Sequence, residues 1–242
     1  MGFIYLYYIM GIIMIPGIIF ASVAQAKIYS AYHKYSEIQT KKQKSANTVA
    51  REVLNRNNLQ DVSIKKIGGN LTDNFNPKTN EVSLSEGVYN STSIAGVSVA
   101  LHEVGHAIQH SQNYAPARMR LSLVPVLNVF SNMLWPLVII GLIISFVAGF
   151  DNTIGQVFIG CGIAFFTLSM IFSLITLPTE LDASKRAREE LIATGNMDAE
   201  EIKGAKEVLD AAALTYVASL VVSILTLFRF ILTILALRGN KK

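Results

Sequence analysis

Residues 100–110 read ALHEVGHAIQH and place two histidines, His102 and His106, four positions apart. On an α-helix that spacing puts both imidazoles on one face, close enough to reach a single ion. Glu103 sits beside the pair. A carboxylate there can hold and deprotonate a metal-bound water, which hydrolysis of an amide requires. Three fixed positions in five also arise by chance in apolar helices, so the surroundings of the motif decide its meaning.

A catalytic zinc site has three protein ligands and leaves a fourth position to water. The extended pattern HExxHxxGxxH would need glycine at 109 and histidine at 112, where the chain has Gln109 and Gln112, so that source of a third ligand fails. Zinc proteases that work inside the membrane take an aspartate from an Asp-Gly pair, and this chain contains none. The remaining common solution is a glutamate on a second helix. Glu180 is the first charged residue after the charge-free stretch 152–179, and a hairpin of two spans would return it to the side and depth of the motif. Pro178 and Thr179 read as a helix start continued by LDASKRAREEL, with Thr179-x-x-Asp182 as a capping box. The competing account of Glu180 is therefore a carboxylate that complements the dipole of a helix N-terminus.

The elements that must carry these residues follow from the distribution of charge. Of the 242 residues, 51% are hydrophobic and 16% charged, with a mean hydropathy of +0.41. Residues 1–26, 121–150, 152–179 and 211–228 carry no charge. A helix needs about 20 apolar residues to cross a bilayer, so this reads as a multi-span membrane protein. No basic residue precedes Lys27, and the first apolar stretch exceeds a signal-peptide core, so an uncleaved first span is expected. The single cysteine, Cys161, excludes an internal disulfide framework. A pI near 9.1 is explained by topology without nucleic acid as a partner. Twelve Lys and Arg lie in 25–120 and five in 178–212, whereas the link at 151–154 has none. By the positive-inside rule both polar segments face the cytoplasm, although Arg229 and the tail RGNKK sit awkwardly with a fourth span.

Between the spans, Ala46, Val49, Ala50, Val53 and Leu54 form the apolar stripe of an amphipathic helix. VSIKKI at 62–67 and EVSLS at 81–85 alternate like strands, with GGN and NPKTN as turns between them. NSTSIAG offers capping residues for a helix that runs to about Gln112 and carries the motif. Its apolar run before the histidines, Ile94 to Leu101, is too short to span a membrane.

HEVGHAIQH followed, after two hydrophobic spans, by LPTELDASKRA resembles the YugP-type membrane zinc metallopeptidases of bacteria, and more distantly HtpX and the CAAX prenyl proteases. The likeness covers nearly the whole chain, including DNFNPKTNEVSLSEGVYN before the motif. It implies one zinc ion per chain held by His102, His106 and Glu180, with Glu103 as catalytic base. The HtpX-like relatives carry an aspartate four residues after the ligand glutamate, where this chain has Ser184, so a neutral hydroxyl would have to orient a histidine. Asp182 is the other candidate for that task. The resemblance also implies that EVSLS is an exposed edge strand that pairs with an extended peptide. For the oxyanion, His110, Arg186 and Arg188 are candidates, each better explained as an interfacial or membrane-anchoring residue.

The expected protein is thus a mainly α membrane protein of about four transmembrane helices with a small α+β zincin-like cytoplasmic domain. Its divisions are a first span at 1–26, the motif domain at 27–120, spans at 121–150 and 152–177, a cytoplasmic helix with the third ligand at 178–210, and a fourth transmembrane or partly re-entrant helix at 211–237. The expected setting is a bacterial cytoplasmic membrane with the site facing the cytoplasm, the lipid bilayer and a protein or peptide substrate as partners. The rival from another class is a membrane scaffold or transporter with an incidental HExxH.

Overall fold

The computed structural model describes residues 11–149 and 152–239. It is mainly helical: α1 (Ile15–Ser36), α2 (Ala46–Arg56), β1 (Ser63–Ile67), β2 (Asn74–Asn76), β3 (Glu81–Ser85), α3 (Glu86–Tyr89), α4 (Ile94–Ser111), α5 (Ala115–Ala148), α6 (Thr153–Ala193) and α7 (Ala199–Gly239). Val23–Arg118 with Leu177–Tyr216 form one compact unit, and the apolar remainder forms another.

In the apolar unit, two described helices, α6 and α7, are long and apolar enough to cross a membrane. Helix α5 makes a third if its arms Ala115–Met133 and Pro136–Ala148, bent by 47°, count as one span. Pro136 supplies the cause of the bend, because it lacks an N–H and its ring crowds the preceding turn. The expected first span lies partly outside the described residues, and α1 covers its second part. Helix α7 runs unbroken through Arg229.

The other unit has one principal core. The stripe on α2 is buried as expected, at Ala46, Val49, Ala50, Val53 and Leu54. It packs with Val82 and Leu84 of β3, Leu101 and Val104 of α4, Leu191 of α6 and Leu209 of α7. Each such Val or Leu contributes roughly 1.5–3 kcal/mol by leaving water, so this cluster fixes α4 against the end of α6.

The sheet has order β1-β3-β2, with β1 parallel and β2 antiparallel to β3. EVSLS is therefore the central strand, which corrects its expected place at the edge. Its burial says the same: Val82 and Leu84 face the core, and Ser83 and Ser85 on the other face are also buried. The edge beside the motif helix is the short strand NFN, which contacts α4. Three residues with two asparagines carry too little periodicity to be read as a strand from sequence alone.

A second correction concerns Pro178. Rather than starting a helix there, α6 is continuous from Thr153 to Ala193. Its 41 residues span about 60 Å, roughly twice a hydrocarbon core, so one helix carries both the apolar run and the polar ELDAS end. Proline is tolerated in such helices because neighbouring groups take over the freed backbone. Burial of Ala183, Ala187 and Leu191 holds the polar end in place.

Candidate metal centre

Helix α4 starts at Ser93, whose hydroxyl accepts from the Gly96 N–H at 3.1 Å, and ends at Gln112, after which Asn113 turns with positive φ. Nearly the whole helix is buried, and its two histidines lie on the side that meets α6. The rings of His102 and His106 stand edge to face with centroids 4.8 Å apart.

The approach of α6 is close. A Cβ added to Gly105 would lie 2.5 Å from the carbonyl oxygen of Ala183, so glycine in the motif and alanine in ELDAS let the two backbones nearly touch. At this crossing Glu180 projects onto both imidazoles. Its Oε2 is 3.1 Å from His102 Nε2 and 3.4 Å from His106 Nε2. The three potential ligand atoms lie within 4.8 Å of one another. A four-coordinate zinc with donors at about 2.0–2.2 Å needs such a cluster, so the donor set fits in type, number and spacing. The Glu180 side chain is 2% exposed, whereas each imidazole keeps 14%, which leaves an approach from solvent for a fourth ligand.

The outer ring nitrogens are engaged separately. His102 Nδ1 is 3.1 Å from Ser184 Oγ, and His106 Nδ1 is 3.0 Å from Gln109 Oε1. Burial raises the Glu180 pKa, but the hydrogen bonds and charges of His102 and His106 outweigh it and hold the carboxyl well below the usual range. Burial lowers the His106 pKa, and the bond and charge of Glu180, together with Glu103 and Gln109, reverse this, so its net shift is upward.

Glu103 is almost buried, at 9% exposed, and acts electrostatically on His106. The remaining candidates make contacts of their own. Thr179 lies inside the continuous α6 and not at a helix start, which removes the setting of the expected capping box, and Asp182 Oδ2 accepts from Gln109 Nε2 at 2.8 Å and from Arg186. Arg186 also donates to Gln112, and Arg188 donates to Asp210. His110 packs against Phe75 of β2 with centroids 5.8 Å apart. Sequence reasoning missed Gly105, Ala183 and Gln109 as parts of the site. A glycine inside an apolar helix costs about 1 kcal/mol and was the available sign of a packing requirement.

Residues 10–235 match the family described as "Putative neutral zinc metallopeptidase". The chain is also 40% identical over 212 residues, 88% of its length and 90% of the relative's, to "Putative membrane protease YugP" of Bacillus subtilis (strain 168). No solved structure matches it. With a match that runs through both helices of the His-His-Glu cluster, the chain belongs to this neutral zinc metallopeptidase family.

Proposed function

We propose that the chain is a zinc-dependent metalloendopeptidase acting at the cytoplasmic face of a bacterial membrane. The observation that carries this reading is the convergence of His102 Nε2, His106 Nε2 and the Glu180 carboxylate from two helices, beside a nearly buried Glu103. Those three side chains would hold one zinc ion. Zinc bound there supplies Lewis acidity, which polarises the scissile carbonyl and brings the pKa of water toward 7. Glu103 takes a proton from the attacking water and returns it to the leaving amine.

The substrate strand is assigned to the outer edge of β2 rather than to β3. An extended peptide adding there would run beside α4, held by main-chain bonds and therefore loosely selected. The excess of Lys and Arg in 25–120 and 178–212 supports the cytoplasmic orientation, and proteins with segments at the membrane surface are the favoured substrates.

The deciding experiment compares wild type with Glu103→Gln for zinc content and for cleavage of casein. The variant should keep its metal and lose roughly 10²–10⁴-fold in turnover. Equal cleavage by both would remove Glu103 from the chemistry, and a zinc-loaded wild type without any cleavage would support a non-catalytic membrane scaffold.

A further inference from the structure

Gln109 entered the sequence only as a mismatch to a longer zinc motif, yet it is fully buried, at 0% exposed, and hydrogen-bonded at both ends of its amide. Its Nε2 donates to the Thr179 carbonyl at 2.7 Å and to Asp182 Oδ2 at 2.8 Å. Its Oε1 faces His106 Nδ1 at 3.0 Å. The Asp182 carboxylate is in turn held by Arg186, which also reaches Gln112 at 2.6 Å.

Donor and acceptor roles along this chain are forced. A peptide carbonyl and a carboxylate only accept, so both must be served by the amide nitrogen, the one donor end of the side chain. The amide oxygen is then left for His106, and an oxygen acceptor there requires a proton on Nδ1. Flipping the amide would break two buried bonds and set oxygen against oxygen, at a cost of about 1–3 kcal/mol for each group left unsatisfied. A neutral imidazole with its proton on Nδ1 has its lone pair on Nε2, the atom turned toward Glu180. His102 lacks such a constraint, because the Ser184 hydroxyl can donate or accept.

We propose that Gln109 is a positioning residue that fixes the tautomer and ring orientation of His106 for metal binding, and that Asp182 and Arg186 fix Gln109. The proposal rests on the zinc reading above. It also ties the two ligand helices together beside the carboxylate ligand, since Thr179 immediately precedes Glu180.

The test uses the full chain in detergent and compares wild type, Gln109→Met, Asp182→Ala and Asp182→Asn. Zinc affinity by chelator competition, the visible spectrum of the cobalt-substituted protein and the melting temperature of the metal-free protein are measured for each. Methionine keeps the volume but removes the amide, so zinc affinity should fall about 10–100-fold with an altered cobalt spectrum. Asp182→Ala leaves Gln109 its bond to the Thr179 carbonyl but removes the carboxylate that holds it, so affinity should fall by less than in Gln109→Met, while Asp182→Asn, which keeps an acceptor oxygen for Gln109 and Arg186, should stay close to wild type. Wild-type affinity and spectrum in Gln109→Met would overturn the positioning role and leave the zinc site standing. A wild type that takes up no zinc would instead overturn the reading beneath it. If Gln109→Met does not fold, Asp182→Ala decides: weakened zinc binding with an altered cobalt spectrum supports the proposal, and a folded Asp182→Ala with wild-type affinity and spectrum overturns it.

Discussion

Gly105 and Ala183 face each other so closely that a single methyl on Gly105 would fall 2.5 Å from the Ala183 carbonyl oxygen. This crossing sets the distance between the histidines of α4 and Glu180 of α6. Gly105→Ala gains up to about 1 kcal/mol of helix propensity but must push two packed backbones apart, which costs about 1–3 kcal/mol. The expected result is a lower melting temperature and less bound zinc, read by calorimetry and metal analysis. A variant as stable and as zinc-loaded as wild type would mean that the contact is not a constraint.

Glu180→Ala removes the carboxylate that faces both imidazoles. Zinc affinity should fall by more than the roughly 10–100-fold that loss of an outer-shell partner costs. Chelator competition measures it, and Glu180→Asp, whose carboxylate is one methylene shorter, should fall between the two.

Protons and zinc compete at His106. In the metal-free protein burial lowers its pKa, but Glu180, with Glu103 and Gln109, turns the net shift upward. The bound proton therefore stabilises the metal-free fold below the ordinary histidine value near 6.5, and this contribution is lost as pH rises through the raised folded value. Zinc must displace that proton, so affinity should climb by up to about tenfold per pH unit across this window and level off above it. Titrations at pH values from about 6 to about 8.5 would show the climb, and a flat profile would contradict it.

Asp73 secures the sheet beneath the motif helix. Its carboxylate accepts from the Ser85 N–H at 2.8 Å and from the Ser85 hydroxyl, and Ser85 is fully buried. Asp73→Ala leaves both donors unsatisfied and should cost about 1–3 kcal/mol in stability. Thermal unfolding reads the loss, while Asp73→Asn, which keeps one acceptor oxygen, should cost less.

Local pattern alone determined a good deal of this protein. Periodicity located the buried stripe of α2, two of the three strands and the motif helix, because each depends on neighbours a few residues apart. Spacing made His102 and His106 a pair, and charge-free runs marked the apolar helices, since helix geometry and bilayer thickness leave few alternatives. What only the tertiary structure decided involves partners far apart in the chain. The sheet order that puts EVSLS at the centre, the continuity of α6 through Pro178, and the Gly105–Ala183 crossing all depend on packing between separate segments. So does the bond from Gln109 to Asp182, because a hydrogen bond between positions 73 residues apart leaves no trace in either local pattern.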